Sequence, residues 1–149
     1  MKFQTERWAD LAKEIEPLLW RNWRDTALDH EAIPLDPDYA RYENLDKIGK
    51  LHITTAREAG ELVGYFILVV NEHPHYQTTL FGFMDVFFMD HKFRNGPAGI
   101  RLFLEMEKAL KDRGVREVIA NTKIHRDVSN IFERLGWRHT AATYTKLIA

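Results

Sequence analysis

The sequence contains no cysteine, which excludes disulfides, thiolate nucleophiles and cysteine-type zinc sites and gives no sign of an oxidising compartment. It also lacks a charge bias: 21 basic residues stand against 22 acidic ones, intermingled along the chain, for a formal net charge of -1. Such a balance provides no footprint for general nucleic-acid or anionic-membrane binding and leaves room only for a local basic patch. No apolar run has the length of a signal peptide or a membrane span, since Met1 to Arg7 lead straight into a charged amphipathic stretch; a cytoplasmic location is the expectation. Repeats, linkers and low-complexity tracts are absent as well. What remains is 149 residues, 45% of them hydrophobic, enough for one compact domain over residues 1–149 with a single core.

Hydrophobic spacing divides the chain in two. Trp8, Leu11, Ile15, Leu18 and Leu19 recur at three- and four-residue steps, which predicts a helix over residues 6–26 with a kink at Pro17. Asp38 is placed to cap a second helix through Tyr39, Tyr42 and Leu45 that ends at Gly49. From Leu51 the period changes to that of strands: 51–56, a turn at Ala59-Gly60, then 63–70, which together make a hairpin. Residues 80–89 are apolar at nearly every position, as expected of a central strand buried on both faces. Gly96, Pro97 and Gly99 interrupt the chain, Ile100 to Leu110 carry a helical stripe stopped by Gly114, and 115–122 form another strand. Strand, turn, helix and strand make one βαβ unit with a parallel pair. Asp127 caps a short helix over Val128 to Leu135, and strand-like pieces at 137–139 and 142–147 finish the chain. The expected class is therefore α/β with a mixed sheet.

The turn Arg94-Asn95-Gly96-Pro97-Ala98-Gly99 opens a helix. Unpaired N–H groups at the positive end of a helix dipole stabilise a phosphate, Arg94 adds a charge, and Gly96 and Gly99 lack the Cβ that hinders close approach. A plain connection between elements has the same composition. The spacing matches neither G-x-G-x-x-G nor G-x-x-x-x-G-K-[ST], so dinucleotide and Walker-type sites are disfavoured.

Through Phe93 to Leu102, placed after a strand, and Ile131-Phe132-Glu133-Arg134-Leu135-Gly136-Trp137 further on, the chain resembles the GNAT acetyltransferase superfamily from about Leu51 to its end. More narrowly it is similar to the phage- and prophage-encoded members, through His75-Tyr76, Asp85-Val86-Phe87-Phe88, Arg94-x-Gly96 and Phe132 to Gly136. The resemblance implies a mostly antiparallel sheet with a splayed parallel strand pair at the cofactor site, flanking helices, and acetyl-CoA (coenzyme A) as cofactor. It assigns cofactor contacts to Phe88, Met89, Arg94, Asn95, Gly96, Ala98, Gly99, Ile100 and Phe132. Three positions depart from the family pattern: Pro97 stands where the loop usually has its first glycine, Phe132 replaces the tyrosine that is the common acid, and seven residues before it His125 stands where an asparagine is often seen.

Acetylation of an amine by direct transfer needs a group to accept a proton and no covalent nucleophile, in keeping with the missing cysteine. Asp85 stands in an apolar strand, where an unpaired carboxylate is costly. It is either the base or an aspartate paired with an arginine, lysine or histidine. By resemblance its strand borders the thioester. Tyr144, on the final strand-like piece, is the nearest substitute for the missing tyrosine by chain position; packing on the sheet with its hydroxyl in water explains it too. His125 has a side chain suited to acid-base work near neutrality, and equally suits a loop beside a helix. His73-Pro74-His75-Tyr76 fit an acceptor pocket or a solvent-facing loop, and no metal is expected there without neighbouring carboxylates or cysteines. Trp20, Trp23, Tyr39 and Tyr42 wall the acceptor side or fill the core.

Three functions fit: an N-acetyltransferase acting on a small-molecule or protein amine, a non-catalytic CoA-binding module, and a phage-type protein that modifies nucleic acid. The last is disfavoured by net charge. A membrane partner is not expected, and a homodimer is left open.

Overall fold

The computed structural model describes residues 1–149. Five strands, Lys2–Thr5 (β1), Leu51–Glu58 (β2), Glu61–His73 (β3), Tyr76–Met89 (β4) and Glu117–Ile119 (β5), form one sheet in chain order. The first four pair antiparallel, and β5 lies parallel to β4. Four helices flank the sheet: Trp8–Thr26 (α1), Tyr39–Lys47 (α2), Ala98–Asp112 (α3) and Ser129–Arg134 (α4).

Both faces of the sheet are covered, which explains why β3 reads as an apolar run rather than an alternation. Tyr65 and Ile67 point to one side and pack with Trp8, Leu11, Ile15, Leu18 and Leu19 of α1. Phe66, Leu68 and Val70 point to the other and pack with Leu102, Phe103, Met106 and Leu110 of α3. The α1 stripe is the one its spacing predicts, and the helix runs through Pro17 without a break. Asp38 caps α2 by accepting the Arg41 N–H at 2.9 Å. The β2–β3 hairpin turns on Ala59 and Gly60, both with positive φ, as a two-residue turn matched to strand twist requires.

Several expectations need correction. β3 runs on to His73 and β4 begins at Tyr76, so the two form a hairpin longer than the expected strands 63–70 and 80–89. β5 is three residues long rather than spanning 115–122. Residues 138–149 form no strand and are exposed throughout, so the expected strand-like pieces at 137–139 and 142–147 do not join the sheet. β1 was not foreseen: a four-residue edge strand carries too few alternations to stand out.

Most consequential is Asp85, which is exposed rather than buried on both faces. The register explains why. Ile67 pairs with Val86 but the next residue, Leu68, pairs with Met84, which leaves Asp85 as the extra residue of a β-bulge. Without the bulge Met84 would face α1; with it, Met84 packs on the α3 side.

Candidate active site

β4 and β5 pair only from Phe81 to Phe83, against Glu117 to Ile119. Beyond that point β5 has ended while β4 continues to Met89, so the two chain paths separate. The gap is a cleft of about 560 Å³, within the size range of small-molecule and cofactor sites. One wall is Met84 to Met89. Asn121 to Lys123 and His125 to Val128 form the other, Arg94 and Gly99 close one end, and Asn22, Asp25 and Thr26 of α1 reach over the opening.

The cleft thus brings together Asp85, Phe88, Met89, Arg94, Gly99 and His125. Asp85 takes part in no ion pair; its Oδ2 accepts the Tyr42 hydroxyl from α2. That tyrosine stacks on Trp8 with ring centroids 4.7 Å apart. Burial, and then the neighbouring Asp85 carboxylate, push the Tyr42 hydroxyl above its ordinary pKa, so it stays a donor. Arg94 is set by its own backbone: its Nε donates to the Met89 carbonyl at 2.8 Å. The turn that carries it is anchored by Asp90, which pairs with Arg21 at 2.7 Å and accepts the Lys92 N–H at 3.0 Å. Burial works against the Asp90 carboxylate, yet the Lys92 N–H, His91 and Arg21 outweigh it and hold its pKa below the usual value.

Ala98 and Gly99 begin α3, whose first intrahelical bond runs from the Arg101 N–H to the Pro97 carbonyl. The N–H groups of Ala98, Gly99 and Ile100 are therefore free of helical partners, at the positive end of a 15-residue helix. Gly99 is close-packed, with a Cβ there meeting Ile131 at 3.3 Å, whereas a Cβ at Gly96 would meet nothing within 4 Å. Asn95, Gly96, Ala98 and Ile100 stand in the turn and first helical residues beside the cleft rather than in its lining.

Two residues singled out in the sequence stand apart. Phe132 packs into the α3 core, 5.3 Å from Phe103 and 5.0 Å from Trp137 between ring centroids. Tyr144 is 92% exposed and away from the cleft. His73, His75 and Tyr76 cluster at the tip of the β3–β4 hairpin, outside the cleft. Trp20 and Trp23 pack on each other, also outside it. Sequence reasoning passed over Asp25, Thr122 and Arg126. For Asp25 a signal exists: Asn22, Asp25 and Thr26 share the polar face of the last turns of α1 at three- and four-residue spacing.

The sequence model of the acetyltransferase (GNAT) family matches residues 12–137. No curated protein matches the chain. Among solved structures, a ribosomal-protein-alanine N-acetyltransferase from Brucella melitensis biovar Abortus 2308 is 19% identical with a TM-score of 0.68, covering 100% of this chain and 99% of its own. An aminoglycoside acetyltransferase from an uncultured soil metagenomic sample, in complex with sisomicin, is 15% identical with a TM-score of 0.74 over 99% of this chain and 96% of its own. A predicted acetyltransferase with acetyl-CoA from Clostridium acetobutylicum is 12% identical with a TM-score of 0.75, again over 99% and 96%. At these identities the structures establish the shared fold, a mixed sheet with a parallel β4–β5 pair. With the family model spanning most of the sequence, from α1 through the cleft to Trp137, the chain belongs to the acetyltransferase (GNAT) family.

Proposed function

We propose that this protein is an acetyl-CoA-dependent N-acetyltransferase of the cytoplasm that moves an acetyl group directly to an amine, and that its kinship lies with the phage-encoded members of the family. One observation carries the proposal: the cleft opened by the parting of β4 and β5 holds the bulged carboxylate Asp85 in one wall and Arg94 with the start of α3 at its end.

The residues fit the cofactor. Arg94 and the free N–H groups of Ala98, Gly99 and Ile100 form a donor set suited to phosphate, and the open space around Gly96 leaves the turn accessible. The wall from Met84 to Met89, including Phe88, is mostly apolar and suits a pantetheine arm. Asn95 extends the phosphate turn. Phe132 supports α3 from behind, through Phe103. Bound acetyl-CoA supplies an activated acyl group.

In this proposal Asp85 accepts the proton that the acceptor ammonium must lose, with Tyr42 orienting the carboxylate from the far side. His125, on the facing wall, is a second candidate to move a proton. Tyr144 has a role only if residues 138–149 move to the cleft. The acceptor is a small-molecule or protein amine. Sisomicin and alanine N-termini, taken from the similar structures, head the panel to be tried.

Two measurements test the proposal. Acetyl-CoA at 100 times its Kd should stabilise the fold by about 2.7 kcal/mol, and no thermal shift at millimolar acetyl-CoA overturns it. Free-thiol release with sisomicin, alanine-leading peptides and polyamines reports turnover, and a protein without cysteine adds no background. A second reading, a non-catalytic CoA-binding module, is favoured by Phe132 in the core and Tyr144 far from the cleft. Binding without thiol release across the panel would select it.

A further inference from the structure

A single carboxylate joins the two walls of the cleft. Asp25 Oδ2, in the last turn of α1, receives Arg94 from the turn before α3 at 3.4 Å and Arg126 from the loop after β5 at 3.1 Å. Two guanidinium groups converging on one oxygen define a position where an anion is stabilised, and the planar donor forks of arginine suit the oxygens of phosphate as well as those of carboxylate.

Arg94 is held in place independently of Asp25, and so is the loop that carries Arg126. Arg94 uses Nε on the Met89 carbonyl and presents Nη2 to the carboxylate. Arg126 sits at the end of a tight turn closed by its own N–H on the Lys123 carbonyl at 3.1 Å. That turn is pinned from behind: Thr122 Oγ1 accepts the Val128 N–H at 2.8 Å, and Asp127 accepts the Ser129 N–H at 2.9 Å. The two arginines thus stand on two fixed walls, with Arg94 also held by its side chain, whereas Asp25 reaches them from a third element. The side chains of Asp25, Arg94 and Arg126 are 32%, 33% and 47% exposed, and ion pairs so open to water are weak. A phosphate group, with more charge and more oxygens, displaces such a carboxylate.

We propose that Arg126 is a phosphate-binding residue that forms a two-guanidinium clamp with Arg94 on a phosphate of the CoA-type cofactor, and that Asp25 competes with this phosphate for the clamp. The proposal rests on the CoA reading above and adds to it a residue outside the glycine-rich turn and an internal competitor.

Calorimetric titration with CoA at low salt, on wild type, Arg126→Gln and Asp25→Asn, tests it without any acceptor. Loss of one charge-assisted phosphate contact should raise Kd about 10-fold in Arg126→Gln. Removing the competitor should lower Kd about two- to fivefold in Asp25→Asn. Both effects should shrink with added salt. Repeating the series with dephospho-CoA tells the two phosphate sources apart: an undiminished Arg126 effect places the diphosphate in the clamp, and a vanished one places the 3′-phosphate there. Wild-type binding with Arg126→Gln within twofold of it, or weaker binding by Asp25→Asn, overturns the clamp and leaves the cofactor proposal standing. No binding by wild type at millimolar CoA overturns both. Melting temperatures of the two variants within about 2 °C of wild type would show that the fold is intact.

Discussion

The Tyr42 hydroxyl donates to Oδ2 of Asp85, and so ties α2 to the bulge of β4. Trp8 holds the tyrosine ring by stacking. The bulge frees Asp85 from the strand ladder, and the hydroxyl fixes where its carboxylate points. The base role proposed for Asp85 requires one orientation toward an acceptor, and both constraints serve it.

Tyr42→Phe keeps the stack and deletes the donor. It should destabilise the fold by about 1.5–3 kcal/mol, the range for a hydrogen bond to a charged group, and lower kcat more than it raises KM in thiol-release assays with an accepted amine. Asp85→Asn should lower kcat by about 10²-fold or more while CoA binding by calorimetry stays at the wild-type level. Equal loss of binding and turnover in Asp85→Asn would assign the residue to folding or cofactor binding instead.

Arg57 on β2 carries a second network, away from the cleft. Its guanidinium donates to both carboxylate oxygens of Glu6 at 2.9 and 3.0 Å, to both of Glu14 at 3.0 and 2.9 Å, and to the Gly60 carbonyl at 2.8 Å. Burial works to raise the Glu6 pKa, but Arg57 and Thr55 outweigh it and hold the carboxyl below its ordinary range. Arg57→Leu leaves Glu6 sequestered and unpaired, which should cost about 3 kcal/mol in urea unfolding at neutral pH. A loss under about 1 kcal/mol would mean that water reaches the site and screens the pairs.

The elements with local periodicity were legible in the sequence. The α1 stripe, the Asp38 cap, the Ala59-Gly60 turn and the βαβ order each depend on residues a few positions apart. The site was legible only in its outline, as the turn at Arg94 to Gly99 and an aspartate in an apolar strand. The rest depends on partners distant in sequence. The bulge exists because β3 and β4 fall out of step after Ile67, and no pattern within β4 announces it. Asp25 meets Arg94 and Arg126 only once α1 has packed on the sheet. The 142–147 segment shows the opposite failure: strand composition without a strand, because β-propensity depends on side-chain packing and these residues are all exposed.

His52 makes stability depend on pH. The ring is 1% exposed on β2, with Nε2 2.8 Å from Thr54 Oγ1 and Arg113 Nη1 3.3 Å from Nδ1. Since arginine only donates, Nδ1 is the acceptor and the neutral ring carries its proton on Nε2. Burial, and then the Arg113 charge, lower its pKa from 6.5 to about 4. Between those values the unfolded chain binds a proton that the folded chain refuses, so stability falls as pH falls through this window, by about 3 kcal/mol in all. In His52→Gln this part of the slope should vanish. Parallel urea midpoints for wild type and variant from pH 7 to 4.5 would show that other groups carry the pH dependence.

Deleting residues 140–149 tests the free C-terminal segment. These residues are all exposed and form no hydrogen bond to the remainder of the chain, so their removal should shift Tm by no more than about 1–2 °C, as for changes at an exposed surface. The deletion also removes Tyr144, and unchanged thiol release would leave proton transfer to Asp85, His125 and water. A fall in Tm of several degrees would carry the opposite meaning. Ile119 is half-exposed on β5, whose outer edge has no strand partner, and the tail alternates Tyr144, Lys146 and Ile148 on one face in the manner of a strand. A stabilising tail would then be one that pairs with this edge, and loss of turnover with it would bring Tyr144 to the cleft after all.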